Sequence, residues 1–206
     1  MTGRLITFEG GDGAGKSTQI ARLADWLGGL DVPVVCTREP GGTTEAEAIR
    51  GLLVSGESDW DALTEAMLHY AARREHAEKR IRPALAAGTW VLSDRFFDST
   101  VAYQCYGQGV APEDEAVLRR LAIGALRPDL TLLLDLPVET GRDRARGRQK
   151  SRYEEMNDEL HLRVRAGFLE IARREPERVA VIDAGKDPDS VAAAVQAVVA
   201  GRFGLS

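Results

Sequence analysis

One short stretch of the chain has the residue types and spacing to hold phosphate groups. From Glu9 to Thr18 it reads EGGDGAGKST, in which Lys16 and Ser17 follow a glycine-rich loop. Glycines permit backbone conformations that let successive N–H groups converge on an anion. A lysine at this position neutralises phosphate charge, and a serine hydroxyl is a natural ligand for Mg²⁺. The stretch fits G-x-x-x-x-G-K-[ST], so we predict a nucleotide-binding P-loop. Its predicted binding residues are Gly10, Gly11, Asp12, Gly13, Ala14, Gly15, Lys16, Ser17 and Thr18.

The segments around this loop indicate the sheet that must position it. Five apolar, β-branched stretches alternate with amphipathic ones: RLITFEG, VPVVCTREP, TWVLSDR, DLTLLLDLP and RVAVIDA. Near-continuous apolar strands suit a parallel sheet with helices on both faces. We predict one domain over residues 1–206, an α/β fold with a doubly wound, five-stranded parallel sheet. Helices are predicted at 16–27, 45–54, 60–86, 112–126, 138–146, 158–174 and 188–199.

Composition restricts the class of protein. Among 206 residues, 44% are hydrophobic and 29% charged, and no apolar run reaches the roughly 20 residues of a membrane helix. We therefore expect no membrane partner, and without a secretory signal near Met1 we expect a cytoplasmic protein. A net charge of -5 argues against a general nucleic-acid binder. Cys36 and Cys105 provide no disulfide framework, and we expect no structural metal.

A P-loop alone fixes a nucleotide and leaves the reaction open among a kinase, a GTPase switch and an ATPase. Asparagine occurs only at position 157, so the Asn-Lys-x-Asp sequence that reads guanine is missing. The chain is also short for an ATPase with the extra domains of a motor. These observations favour a small-molecule kinase.

Charged residues follow two other predicted strands, at the edge where open α/β sheets bind ligands. Asp94 and Arg95 end the strand in VLSDRFFDSTVAYQ, and Arg38 and Glu39 end the strand before TREPGG. Asp94 can help Ser17 hold a hydrated Mg²⁺, and Arg95 can clamp a phosphate across from the loop.

FEGGDGAGKST, TREPGG and SDRFFDSTVAYQ together resemble bacterial thymidylate kinases, with further likeness in AARREH, RPDLTLLLD and RVRAGFLEIA. The resemblance covers essentially the whole chain. It implies a P-loop kinase fold with a mobile lid that transfers the γ-phosphate of ATP to dTMP, with Mg²⁺ as cofactor. It also implies a homodimer.

The resemblance assigns residues to the acceptor side. Asp12 faces the deoxyribose 3'-hydroxyl or a phosphate-site arginine, and Tyr103 guards against a 2'-hydroxyl. Arg73 hydrogen-bonds the thymine edge. Arg95, with Arg38, Glu39 and Pro40, addresses the acceptor phosphate, and Glu9 approaches the metal or sugar. Ser99, Thr100, Tyr103 and Gln104 lie one helical turn apart after Arg95 and suit one wall of the site. The full predicted acceptor set is Glu9, Asp12, Arg38, Glu39, Pro40, His69, Arg73, Arg95, Ser99, Thr100, Tyr103 and Gln104.

Some positions depart from the family pattern. His69 stands where the family usually places a phenylalanine that stacks on the base, one helical turn before Arg73. A neutral imidazole can stack with less apolar area, and Tyr70 is a rival source of the ring. Cys105 and Gln108 replace the more usual glycine and arginine, without a functional explanation.

A basic run, GRDRARGRQKSRYEE, predicts a lid over about residues 146–157. The P-loop carries no arginine, and family members of this type stabilise the transferring phosphate with lid arginines, here assigned to Arg148 and Arg152. Arg142 is placed near the adenine. Ser151 replaces the family's aspartate, which bears on how the lid is anchored.

The predicted catalytic residues are Asp12, Lys16, Arg95, Arg148 and Arg152. Two alternatives stay open at this point. One is a kinase of another (deoxy)nucleoside monophosphate, which a changed stacking residue at His69 would favour. The other is a non-catalytic ATP-binding sensor.

Overall fold

Five strands form one parallel sheet in the order β2-β3-β1-β4-β5. The structure is a computed structural model that describes residues 3–54, 59–145, 153 and 157–205. The strands are β1 (Leu5–Glu9), β2 (Val34–Arg38), β3 (Trp90–Asp94), β4 (Leu130–Asp135) and β5 (Val179–Asp183). Because β3 and β4 flank β1 on opposite sides, the order reverses at β1, and a ligand crevice opens there at the carboxyl ends of the strands.

Helices cover both faces of this sheet. They are α1 (Lys16–Gly28), α2 (Thr44–Val54), α3 (Ala62–His76), α4 (Arg82–Ala86), α5 (Phe97–Thr100), α6 (Pro112–Ile123), α7 (Val138–Ala145), α8 (Asp158–Arg174) and α9 (Pro188–Phe203). Side chains of α1 and α9, such as Leu23 and Val195, pack with Phe8 on one face. On the other face, Tyr70 of α3 packs with Phe96, and Phe168 of α8 packs with Leu133. The predicted doubly wound α/β fold is confirmed.

Local sequence explains several helix boundaries. Asp61 caps α3 by accepting from the backbone N–H groups of Leu63 and Thr64, and Asn157 caps α8 by accepting from Leu160 N. Gly124, with φ of 58°, ends α6 before the predicted boundary at 126.

Two helical regions differ from the prediction. The helix expected over 60–86 is interrupted by a π-helical turn, Ala77–Ile81, which joins α3 to α4. The predicted helices also include none after β3, although Ser99 to Gln104 were expected one helical turn apart there, and the structure has α5 followed by the π-helical Val101–Gly107. In the part of the chain that the structure describes, no helix is long and apolar enough to cross a membrane.

Candidate active site

The glycine-rich loop lies between β1 and α1, at the point where the strand order reverses. Gly10 and Gly13 have φ of 131° and 76°, which side chains rarely adopt. A Cβ at Gly10 would collide with the carbonyl oxygen of Leu134, and one at Gly13 with that of Gly141 in α7. The loop therefore keeps its shape only with glycine at these two positions.

Lys16 folds back over this loop. Its Nζ donates to the carbonyl oxygens of Gly10 and Gly11, at 3.1 and 2.9 Å. Burial, followed by the nearby Arg95, lowers the pKa of the ammonium group. The lysine is thus placed inside the loop, where a bound phosphate group would gain a cation.

Ser17 and Asp94 meet at the mouth of the crevice. Ser17 Oγ donates to Asp94 Oδ2 at 3.1 Å, which joins the first turn of α1 to the end of β3. A hydroxyl and a carboxylate are hard oxygen donors of the type that Mg²⁺ prefers. Both side chains therefore fit the metal role predicted for them.

Arg95 bridges the end of β3 and the loop. It adopts a left-handed backbone conformation, with φ of 69°. Its guanidinium donates to Asp12 Oδ1 at 2.8 Å, to Gly10 O at 3.2 Å and to Ser99 Oγ at 3.0 Å. It also lies over the Tyr103 ring, 5.2 Å from the centroid. Burial alone would raise the pKa of Asp12, but Arg95 and then Lys16 outweigh burial and hold this pKa below its ordinary value.

Glu9 has a structural position that the sequence did not reveal. Expected near the metal or sugar, it is fully buried and accepts from Phe96 N, Ser99 N and Ser99 Oγ, at 2.8, 3.3 and 2.6 Å. Burial, and then Asp98, raises the pKa of Glu9 to about 8. Glu9 thus anchors the start of α5, and its approach to a metal or sugar stays a prediction.

Arg73 lies in the wall opposite the loop. Its Nε donates to Glu39 Oε2 at 2.6 Å, and its two terminal nitrogens donate to Thr100 Oγ1 and Phe96 O, each at 3.1 Å. Glu39 belongs to the turn after β2, so this ion pair fixes α3 against that turn. Only 2% of Arg73 is exposed.

A cavity of about 840 Å³ joins these groups and extends to both sides of Lys16. One end is lined by Arg38, Glu39, Pro40, His69, Arg73, Ser99, Thr100, Tyr103 and Gln104, all of which were predicted from the sequence. The other end is lined by Thr18, Arg144, Gly185, Pro188 and Val191. The cavity thus has room for two ligands that meet at the loop.

Arg50 and Tyr153 also line this cavity, and sequence reasoning missed both. Arg50 donates to Pro40 O at 2.8 Å, which brings a further cation to the Arg38 end. Its position in α2 carried no motif of its own. Tyr153 is the one aromatic residue in the basic run GRDRARGRQKSRYEE. An aromatic ring among charged residues was the signal from which a site role could have been predicted.

His69 faces Tyr153 across the cavity. Its Nε2 and the Tyr153 hydroxyl are 2.8 Å apart, and Tyr153 packs edge-on against Tyr103 with centroids 5.7 Å apart. Loss of solvation, and then Arg73 and Arg95, lowers the pKa of His69 to about 3, so the ring is neutral. The rival Tyr70 is wrong, because it is buried in the core below Arg73 and its hydroxyl donates to Glu115.

Arg142, which was expected near the adenine, does not line the main cavity. It pairs with Asp158 and lines a second cavity of about 500 Å³, which Gly10 and Gly11 also line. Arg144, two positions further along α7, points toward the end of the main cavity and donates to Ala184 O at 2.9 Å. The two positions differ by roughly 200° around a helix, so they occupy different faces.

Gln108 extends the polar wall behind the cavity. It donates through Nε2 to Glu65 Oε1 at 3.1 Å, and Gln104 donates to the same oxygen at 2.7 Å. Nothing in the structure explains Cys105. Arg148, Ser151 and Arg152 lie outside the described residues.

The parallel sheet, the loop at its reversal point and the cavity on both sides of Lys16 define a P-loop kinase. The sequence model of the family described as "Thymidylate kinase" matches residues 8–195. The curated thymidylate kinase of Caulobacter vibrioides is 54% identical over 98% of this chain and 99% of its own length. That of Magnetococcus marinus is 50% identical over 100% of both chains.

A solved structure agrees with these sequence relatives. The crystal structure of thymidylate kinase from Ehrlichia chaffeensis is 37% identical, with a TM-score of 0.79, and the match covers 97% of this chain and 99% of the other. The chain belongs to the thymidylate kinase family. The family assignment made from the sequence is confirmed.

Proposed function

We propose that this enzyme transfers the γ-phosphate of ATP to dTMP, with Mg²⁺, and releases dTDP and ADP as a step toward dTTP. The observation that carries the proposal is the position of Arg95. Its guanidinium reaches the P-loop acid Asp12 at 2.8 Å and stands on the same side of Lys16 as the Arg73 wall. A monophosphate bound by Arg95 would have its phosphate next to the γ-phosphate of an ATP bound to the P-loop.

Positioning and charge neutralisation supply the catalysis in this proposal, because phosphoryl transfer needs little covalent chemistry from the protein. Lys16 exchanges its contacts with Gly10 O and Gly11 O for phosphate oxygens of ATP. Arg95 holds the acceptor phosphate in line with the donor, and Arg38 and Arg50 add positive charge at that end. Ser17 and Asp94 would hold Mg²⁺, which neutralises charge on the donor phosphates.

The acceptor end offers a consistent set of contacts for a deoxynucleotide. Arg73 and Thr100 supply polar groups for the base edge, and His69 supplies a neutral ring for its face. Tyr103 fills the space beside Asp12 and Arg95, where a 2'-hydroxyl would need room. At the donor end, Arg144 takes the adenine role first given to Arg142. Arg148 and Arg152 of the lid complete the charge around the transferring phosphate.

We also propose a homodimer that works in the cytoplasm without a nucleic-acid partner. Met67 of α3 and Val117 and Leu121 of α6 are 49%, 45% and 65% exposed, on helices that pack against each other. Apolar side chains on two adjacent helices suit a self-complementary face.

The experiment that tests the reaction is ADP release with ATP and Mg²⁺ against dTMP, dUMP, dCMP, dGMP and UMP, each with an EDTA control. We expect dTMP to give the highest kcat/KM and EDTA to abolish turnover. A preference for another monophosphate would change the substrate assignment and leave the proposed mechanism in place. Absence of turnover with every acceptor would reject the kinase assignment and favour a non-catalytic ATP-binding sensor.

A further inference from the structure

His76 is a buried side chain to which the proposed reaction assigns no role. It ends α3, is fully buried, and lies between Thr37 near the end of β2 and Glu39 in the turn after that strand. Its Nδ1 is 2.8 Å from Glu39 Oε1, and its Nε2 is 2.6 Å from Thr37 Oγ1. A Cβ at Gly42 would lie 2.6 Å from the imidazole, so the turn after Pro40 packs directly on the ring.

The hydrogen bonds of Glu39 determine the direction of each contact. Burial would raise the pKa of Glu39, but Arg73 and then His76 outweigh it and hold that pKa below its ordinary value. The side chain is therefore a carboxylate that only accepts, and His76 donates to it from Nδ1–H. In the tautomer that carries its hydrogen on Nδ1, Nε2 accepts from the Thr37 hydroxyl.

The two oxygens of Glu39 have different partners. Oε1 accepts from His76, and Oε2 accepts from Arg73 Nε at 2.6 Å. Because the carboxylate is held at one oxygen by His76, its other oxygen presents a fixed acceptor to Arg73. The remaining nitrogens of Arg73 then point to Thr100 Oγ1 and Phe96 O, in the cavity wall.

We propose that His76 is a positioning residue for base recognition, which orients the guanidinium of Arg73 through Glu39 and thereby sets the affinity for the acceptor nucleotide without touching it. The inference rests on the proposed function, in which Arg73 reads the base. An arginine that binds the base equally in the ground and transition states affects KM and leaves kcat unchanged. A His76 that only fills space would show no such selectivity.

Two substitutions separate the two hydrogen bonds of the imidazole. In His76→Asn the amide nitrogen takes the place of Nδ1 and keeps the donor to Glu39, whereas in His76→Gln it takes the place of Nε2 and loses that donor. We expect His76→Gln to raise the dTMP KM about tenfold, with kcat and the ATP KM within about twofold of wild type. His76→Asn should stay within about threefold of wild type on all three parameters.

Thr37→Val provides the matched control, because it removes the other hydrogen bond of the same ring and leaves Glu39 untouched. Its dTMP KM should rise less than that of His76→Gln. Equal dTMP KM values in the Asn and Gln variants, or a loss confined to kcat, would overturn the inference. Thermal unfolding of each variant identifies folded protein, and if His76→Gln does not fold, a tenfold rise in His76→Asn still rejects the proposal.

Turnover of dTMP by the wild-type enzyme distinguishes failure of the proposed function from failure of the positioning role of His76. If wild type does not phosphorylate dTMP, the proposed function fails whatever the variants do. If wild type does so and the two His76 variants are alike, only the positioning role fails.

Discussion

Arg95 Nη2 donates to Asp12 Oδ1 over 2.8 Å and so ties the end of β3 to the phosphate-binding loop. Both residues come from motifs far apart in the sequence, and each depends on the other. Asp12 keeps its charge among phosphates because Arg95 and Lys16 are close, and Arg95 keeps its orientation because Asp12 accepts from it.

Asp12→Asn keeps the shape of this contact and removes its charge. We expect kcat/KM for dTMP to fall by about 10- to 100-fold, since a hydrogen bond between charged groups contributes about 1.5–3 kcal/mol. The ATP KM should change much less. Steady-state kinetics with each substrate varied in turn measures both. The control is Asp114→Asn, an exposed acid of α6, and equal losses in the two variants would remove Asp12 from the acceptor site.

His69→Phe restores the ring that the family usually has at this position. We expect the dTMP KM to fall by about threefold, because a phenyl ring buries more apolar area against the base. Tyr153→Phe, which removes the hydroxyl that pairs with His69 Nε2, should not lower it. With a His69 pKa of about 3, protonation of this ring should not affect the wild-type KM between pH 6 and 9. An unchanged KM in His69→Phe would show that this ring does not contact the base.

Arg142→Ala and Arg144→Ala form a matched pair on one helix. Only Arg144 lines the donor end of the main cavity, so its loss should raise the ATP KM about tenfold. Arg142→Ala should stay within about twofold, because that side chain pairs with Asp158. The ATP KM, measured at saturating dTMP, decides between them. The reverse order would return the adenine contact to Arg142.

Glu9 predicts a dependence of stability on pH. Its pKa is about 8 in the folded protein, against an ordinary value of 4.5. The folded state therefore binds the proton more tightly, and this contribution to stability is full below pH 4.5 and is lost as the pH rises through 8. Glu9→Gln cannot titrate and should show a flatter decline of Tm between pH 5 and 9. Parallel profiles of Tm against pH for wild type and Glu9→Gln would contradict the raised pKa of Glu9.

The lid prediction rests on sequence alone. Alanine at Arg148 or Arg152 should lower kcat by about 10³-fold, as expected when an arginine that neutralises the transferring phosphate is removed. The ATP KM should change little. Arg127→Ala, an exposed arginine paired with Glu175, is the control. Near-normal turnover in both lid variants would show that neither arginine neutralises the transferring phosphate.

The fold was predictable wherever short patterns determine structure. The buried run Leu130–Asp135 and the P-loop glycines each carry their own local signal. The helix after β3 was not in the predicted set, because its polar side chains face the cavity and break the amphipathic pattern. The contacts of Glu9 and Arg142 within the chain were hidden from the sequence for a related reason. Each lies one or two positions from a residue that lines the main cavity or the loop, and the direction of its side chain depends on contacts made by distant segments.

The order of the strands separates recognition of the two nucleotides along the chain. Apart from Tyr153, the cavity wall at the acceptor end comes from residues 38–104, and that at the donor end from Arg144 and residues 184–191, while the loop at 12–19 belongs to both. Preference for the acceptor base can therefore diverge within one contiguous stretch of gene. A relative's segment exchanged between β2 and the end of the π-helical Val101–Gly107 would carry its acceptor preference with it and leave the choice of phosphate donor as it was.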